Sequence, residues 1–114
     1  MTPPAAVAPL EISPLAPDPA EIDVGRVLEL DRVLSEDIGV RVAGTPEDDR
    51  ATNYIASTFT KAGYRTERRA FSLAEGGQSH NVVARHPSAD YSAGYLLIGG
   101  HHDTVPGAPG ANDN

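Results

Sequence analysis

A chain of 114 residues has room for one domain at most, and a formal charge of −7, with Lys61 the only lysine among 9 lysines and arginines, leaves no basic footprint for nucleic acid. The absence of cysteine removes any disulfide or thiolate framework. No stretch reaches the roughly 20 apolar residues of a membrane helix, and the N-terminus lacks the basic and apolar regions of a signal sequence. The default expectation is therefore a cytoplasmic chain with no membrane partner, with export open to it only if translation begins further upstream.

Residues 1–20, MTPPAAVAPLEISPLAPDPA, are too proline-rich to pack and read as a disordered leader; residues 21–114 carry the domain. From Glu21 onward, Val24, Val27, Leu28, Leu34 and Ile38 recur at helical spacing, with Asp23 as the cap and Gly39 as the stop. A second helix is marked by Thr45 as N-cap, Pro46 at the first helical position, and Glu47, Asp48 and Asp49 as an acidic first turn; Lys61 and Gly63 suit its end. Its inner stripe is expected at Ala51, Ile55, Phe59 and Ala62.

Beyond Gly63 the texture turns extended. YRTERRAFSL and SHNVVARH read as two strands divided by the turn-forming EGGQ, and the apolar run YLLIGG, from Tyr95 to Gly100, reads as a third strand covered on both faces of an α/β sheet. Ligands of such sheets collect at the carboxyl ends of strands, which makes the following GGHHDTVPGAPGANDN a candidate site loop.

In that loop His101 and Asp103 stand two apart, so a carboxylate can lie behind an imidazole and fix its tautomer, as happens behind many metal-bound histidines. Asp113 adds a second carboxylate on a stretch that Gly107, Pro109 and Gly110 allow to turn sharply. Imidazole nitrogen and carboxylate oxygen without thiolate suit zinc. By itself the pattern fits an ordinary hydrogen-bonded turn better than it fits a metal site. His102 reads as a surface or packing residue, His80 and His86, which carry no partner pattern, as solvent-facing ones, Arg68 and Arg69 as a solvated strand edge, and Glu47, Asp48 and Asp49 as a helix-terminal charge cluster.

The whole stretch LLIGGHHDTVPGAPGANDN resembles the zinc-binding segment of the co-catalytic di-zinc aminopeptidases, metallopeptidase family 28, and the likeness extends over about residues 24–114: GVRVAGTPEDDRATNYIASTFTKAGY resembles the family's upstream helix, and NVVA its first central strand. The resemblance implies a three-layer α/β/α fold with a central mixed sheet flanked by helices. It implies two zinc ions, with His101 and Asp113 as metal ligands, Asp113 bridging both ions, Asp103 orienting His101, and a peptide as substrate. The family's remaining ligands and its general-base glutamate lie downstream of the bridging aspartate, so the expectation is the N-terminal portion of a zinc exopeptidase, incomplete and inactive alone. Two other readings stand beside it. The carboxypeptidase and deacylase relatives use a His-x-Asp-x-Val-Pro segment like HHDTVP, although their bridging aspartate follows after a longer insertion. A non-catalytic remnant or partner-binding fragment is the other. Substrate preference and oligomeric state are not legible.

Overall fold

The computed structural model describes residues 22–111; the proline-rich leader over residues 1–20 lies outside them. The first helix, α1 (Val24–Arg32), starts at Asp23, whose Oδ1 accepts the Arg26 N–H at 3.1 Å. It runs directly into a wider π-helical stretch, Val33–Ile38, which closes where the Gly39 N–H reaches the Leu34 carbonyl at 2.9 Å. The expected helical spacing is realised, but the stripe it draws is not covered: Val24, Val27 and Leu28 stay 64%, 50% and 62% exposed, since no described element lies across them.

Gly44 leads into the second helix in the left-handed region at φ +86°, and a Cβ there would meet Leu73 Cδ1 at 2.7 Å, so the tight entry requires glycine. Helix α2 (Pro46–Lys61) then begins as its sequence predicts: the Thr45 hydroxyl accepts the Asp48 N–H at 3.3 Å, Pro46 fills the first position, and Glu47, Asp48 and Asp49 face the positive end of the helix. The buried face departs from the expected stripe. Ala51 is fully buried and Ile55 half-buried, whereas Phe59 and Ala62 are exposed; the face is turned toward Asp48 and Thr52, both buried. Phe59 instead meets the Tyr64 ring edge-on at 5.5 Å.

Strands β1 (Arg65–Ser72) and β2 (Gln78–Arg85) form an antiparallel hairpin in the register Arg65↔Arg85 to Ser72↔Gln78, turned by residues 73–77. Helix α2 packs against both strands. A short 3-10 turn, Tyr91–Ala93, follows, started by Asp90, whose carboxylate accepts from Ser92. Those hydrogen bonds from the Ser92 hydroxyl and amide hold the Asp90 carboxyl below its ordinary pKa.

The third strand is a correction. Residues 95–100 form no ladder, and Tyr95, Leu96, Leu97 and Ile98 are 68%, 84%, 82% and 84% exposed. A buried strand needs neighbours to take its N–H and C=O groups, and no described segment lies alongside it. The described residues thus make an α/β arrangement of two helices and one two-stranded antiparallel sheet.

Replacing the cap of α2 tests how local its start is. Thr45→Ala should lower stability toward urea by about 1 kcal/mol, while Thr60→Ala, exposed near the other end of α2, should lower it less. Equal losses would deny the cap its role.

Candidate functional site

Arg41 builds the site from below. It is 4% exposed, and its guanidinium donates to backbone carbonyls of two separate segments: Nε to His102 at 2.8 Å, and Nη1 to Leu34 at 2.8 Å, Gly39 at 3.1 Å and Pro109 at 2.8 Å. The Leu34 and Gly39 carbonyls belong to the end of the π-helical stretch, so the helix terminus and the closing loop share one cation. The backbone adds a reciprocal pair, with the Arg41 N–H donating to Thr104 Oγ1 at 2.8 Å and the Thr104 N–H to the Arg41 carbonyl at 3.0 Å. Burial lowers the pKa of Arg41, and the nearby Asp103, Asp31 and Asp48 oppose that shift. The loop closes tightly over this group: at Gly110, with φ +71°, a Cβ would meet Thr104 Cγ2 at 2.6 Å and Arg41 Nη2 at 3.0 Å.

Asp48 is the second anchor, and here the structure corrects the reading of residues 47–49 as a simple charge cluster. Asp48 is 2% exposed. Its Oδ2 accepts the Gly44 N–H at 2.9 Å and the Ser79 hydroxyl at 2.6 Å, and its Oδ1 lies 3.0 Å from His102 Nε2. Three hydrogen bonds, from the turn before α2, from β2 and from the closing loop, offset the desolvation of this carboxylate. Glu47 and Asp49 do remain outside the buried cluster, and Asp49 pairs with Arg68 at 3.0 Å on the surface.

His102 is the residue whose role the sequence conceals. Its side chain is 19% exposed, with Nε2 facing Asp48 and, at 3.3 Å, Thr52 Oγ1. The Thr52 hydroxyl gives its proton to the Asp48 carbonyl at 2.9 Å and can therefore only accept from His102. A carboxylate and an accepting hydroxyl at one nitrogen assign the proton to Nε2. Asp48 and Thr52, one helical turn apart on α2, are the available signal, although nothing local shows that they point inward.

His101 has the opposite arrangement. Its Nδ1 lies 3.1 Å from Asp103 Oδ1 and 3.1 Å from the Asp103 carbonyl oxygen. Both are acceptors, so Nδ1 carries a proton, and in the neutral ring Nε2 keeps a lone pair. The two side chains are about half exposed, at 45% and 46%. Asp113 lies outside the described residues. Among the described residues no group of three or more His, Cys, Asp or Glu side chains gathers to hold an ion. The donor chemistry at His101 nevertheless fits a metal: an imidazole on a half-exposed side chain, with one nitrogen backed by oxygen acceptors and, in the neutral ring, a lone pair on the other. The other histidines take no part. His80, at 26% side-chain exposure, sits 4.0 Å from Asp49, and the exposed His86 accepts the Ser88 N–H at 3.2 Å.

Residues 81–114, from within β2 through the closing loop, match the family model described as Peptidase family M28. No curated protein and no solved structure matches the chain. The match supports a peptidase-family function, a hydrolase acting on peptides, from a family whose members are generally metal-dependent.

The Arg41 fork predicts a measurable hold on the loop. Arg41→Lys keeps the charge but cannot reach carbonyls of both segments, so the Thr104 amide should exchange its hydrogen faster and stability should fall by about 2 kcal/mol. Unchanged exchange at Thr104 would show that the loop is held by other means.

Proposed function

We propose that this chain is part of a zinc-dependent exopeptidase, most specifically an aminopeptidase, whose metal ligands include His101 and Asp113 and in which Asp103 orients His101. One observation carries the reading: His101 Nδ1–H donates to Asp103, which leaves Nε2 of the half-exposed ring as a ready metal donor at the start of the loop, within the stretch that matches the peptidase family. The three-layer α/β/α arrangement and a two-ion centre with Asp113 as the bridge belong to the same proposal. His101 and Asp113 are fewer donors than two ions need, so other residues would have to supply the remaining ligands and a general base.

Bound zinc would supply a Lewis acid that brings the pKa of a water to about 7. The work of this chain's own residues is positional. Asp103 holds the His101 ring in the Nδ1–H tautomer, Arg41 keeps the carbonyls of His102 and Pro109 in place, and Thr104 ties the same loop to the backbone of Arg41. The half-exposed imidazole thus needs little reordering to bind a metal.

In the active protein, His101→Ala or Asp113→Ala should abolish peptide hydrolysis that a chelator removes and zinc restores. Turnover retained in either variant would sink the assignment. Peptides with a free N-terminus should be cleaved and their N-acetylated counterparts spared; the reverse preference for a free C-terminus would favour the carboxypeptidase relatives.

A further inference from the structure

The adjacent histidines of the site loop are held in opposite tautomers by carboxylates on opposite sides of the chain. His101 and Asp103 meet each other on the accessible side, 45% and 46% exposed, while His102 between them turns inward to Asp48, 19% and 3% exposed. The inward contact is built from both ends. Asp48 has its other oxygen occupied by the Gly44 N–H and the Ser79 hydroxyl, which prevents the carboxylate from turning, and the carbonyl of His102 is fixed by Arg41 Nε. Neither the backbone nor the ring of His102 can rotate without leaving a buried polar group unpaired.

From this geometry we infer that Asp48 and His102 are positioning residues for the metal centre: by pinning the middle residue of His-His-Asp to α2, they set the side of the loop on which His101 meets Asp103 and the direction in which His101 Nε2 points. The inference rests on the metal-peptidase reading and adds to it a residue pair that links the ligand loop to the start of α2. His102 is not a ligand through Nε2 in this arrangement, because that nitrogen bears the proton donated to Asp48. Thr52 supports the pair as a second acceptor.

The test uses two polar replacements that differ in where they place an N–H. The side-chain amide of glutamine reaches the position of Nε2, and that of asparagine only the position of Nδ1. In the full chain without metal, the ring-nitrogen NMR shifts of His101 should report the Nδ1–H tautomer in the wild type and in His102→Gln, and a mixture of tautomers in His102→Asn. Zinc affinity, measured by competition with a chromophoric chelator, should fall about 10-fold in His102→Asn and recover in His102→Gln. A purely structural contact would lower Tm in His102→Asn while leaving the His101 tautomer and zinc affinity at wild-type values, and that result overturns the inference. If His102→Asn does not fold, Asp48→Glu is measured in its place, with the same expected loss and the same overturning result. His101→Ala separates the two levels. Zinc affinity indifferent to His101→Ala overturns the metal reading itself, whereas affinity lost with His101→Ala but unmoved by His102→Asn overturns the positioning role alone.

Discussion

The buried carboxylate of Asp48 is the constraint on which the rest depends. An ionised side chain removed from water is unfavourable by several kcal/mol unless charge-assisted hydrogen bonds replace its hydration, and Asp48 obtains them from Gly44, Ser79 and His102. Those donors come from the turn before α2, from β2 and from the closing loop, so satisfying one carboxylate brings three separate segments into register. Arg41 does the complementary work with a buried cation and carbonyl acceptors. Among the described residues Ala51 is the one buried hydrophobic side chain, and Arg41, Asp48, Thr52, Ser79 and Thr104 are the buried polar ones. The interior is organised by directional bonds more than by apolar area.

That balance explains why the buried polar groups around Arg41 and Asp48 are paired while apolar surface elsewhere stays uncovered. Hydrogen bonds fix distance and angle, and each buried partner left unmatched carries a full desolvation penalty. Apolar burial rewards any covering surface, and among the described residues Val24, Leu28 and the run Tyr95–Ile98 lack one. The loop bearing His101 is therefore held from beneath, at His102, Thr104 and Pro109, even though the apolar run that leads into it has no ladder.

What can be read from the sequence follows from the range of each interaction. The Asp23 cap, the Thr45–Pro46 start and the hairpin turn at EGGQ are decided within a few residues, and the structure places them as expected. The His101–Asp103 contact is equally local, spanning two positions. Asp48 misleads because an acidic residue in a first helical turn looks the same whether it faces water or an interior; its burial is decided by Ser79 and His102, 31 and 54 positions away. The role of His102 is hidden for the same reason. The apolar run from Tyr95 suggests a strand by composition, but a strand exists only through neighbours, and the described residues supply none beside it.

The two anchors also differ in what they fix. Arg41 binds main-chain oxygens and so sets where the loop runs, largely regardless of the side chains it carries. Asp48 binds one imidazole and so holds the His102 ring on the inner side of the loop. Position without orientation would leave His101 free to turn, and orientation without position would let the correctly turned ring drift with its loop. A metal ligand needs both, within fractions of an ångström and a few tens of degrees. For His101 in the proposed role, the first would come from the Arg41 cation that holds the loop carbonyls and the second from the Asp48 anion at the start of α2, through His102.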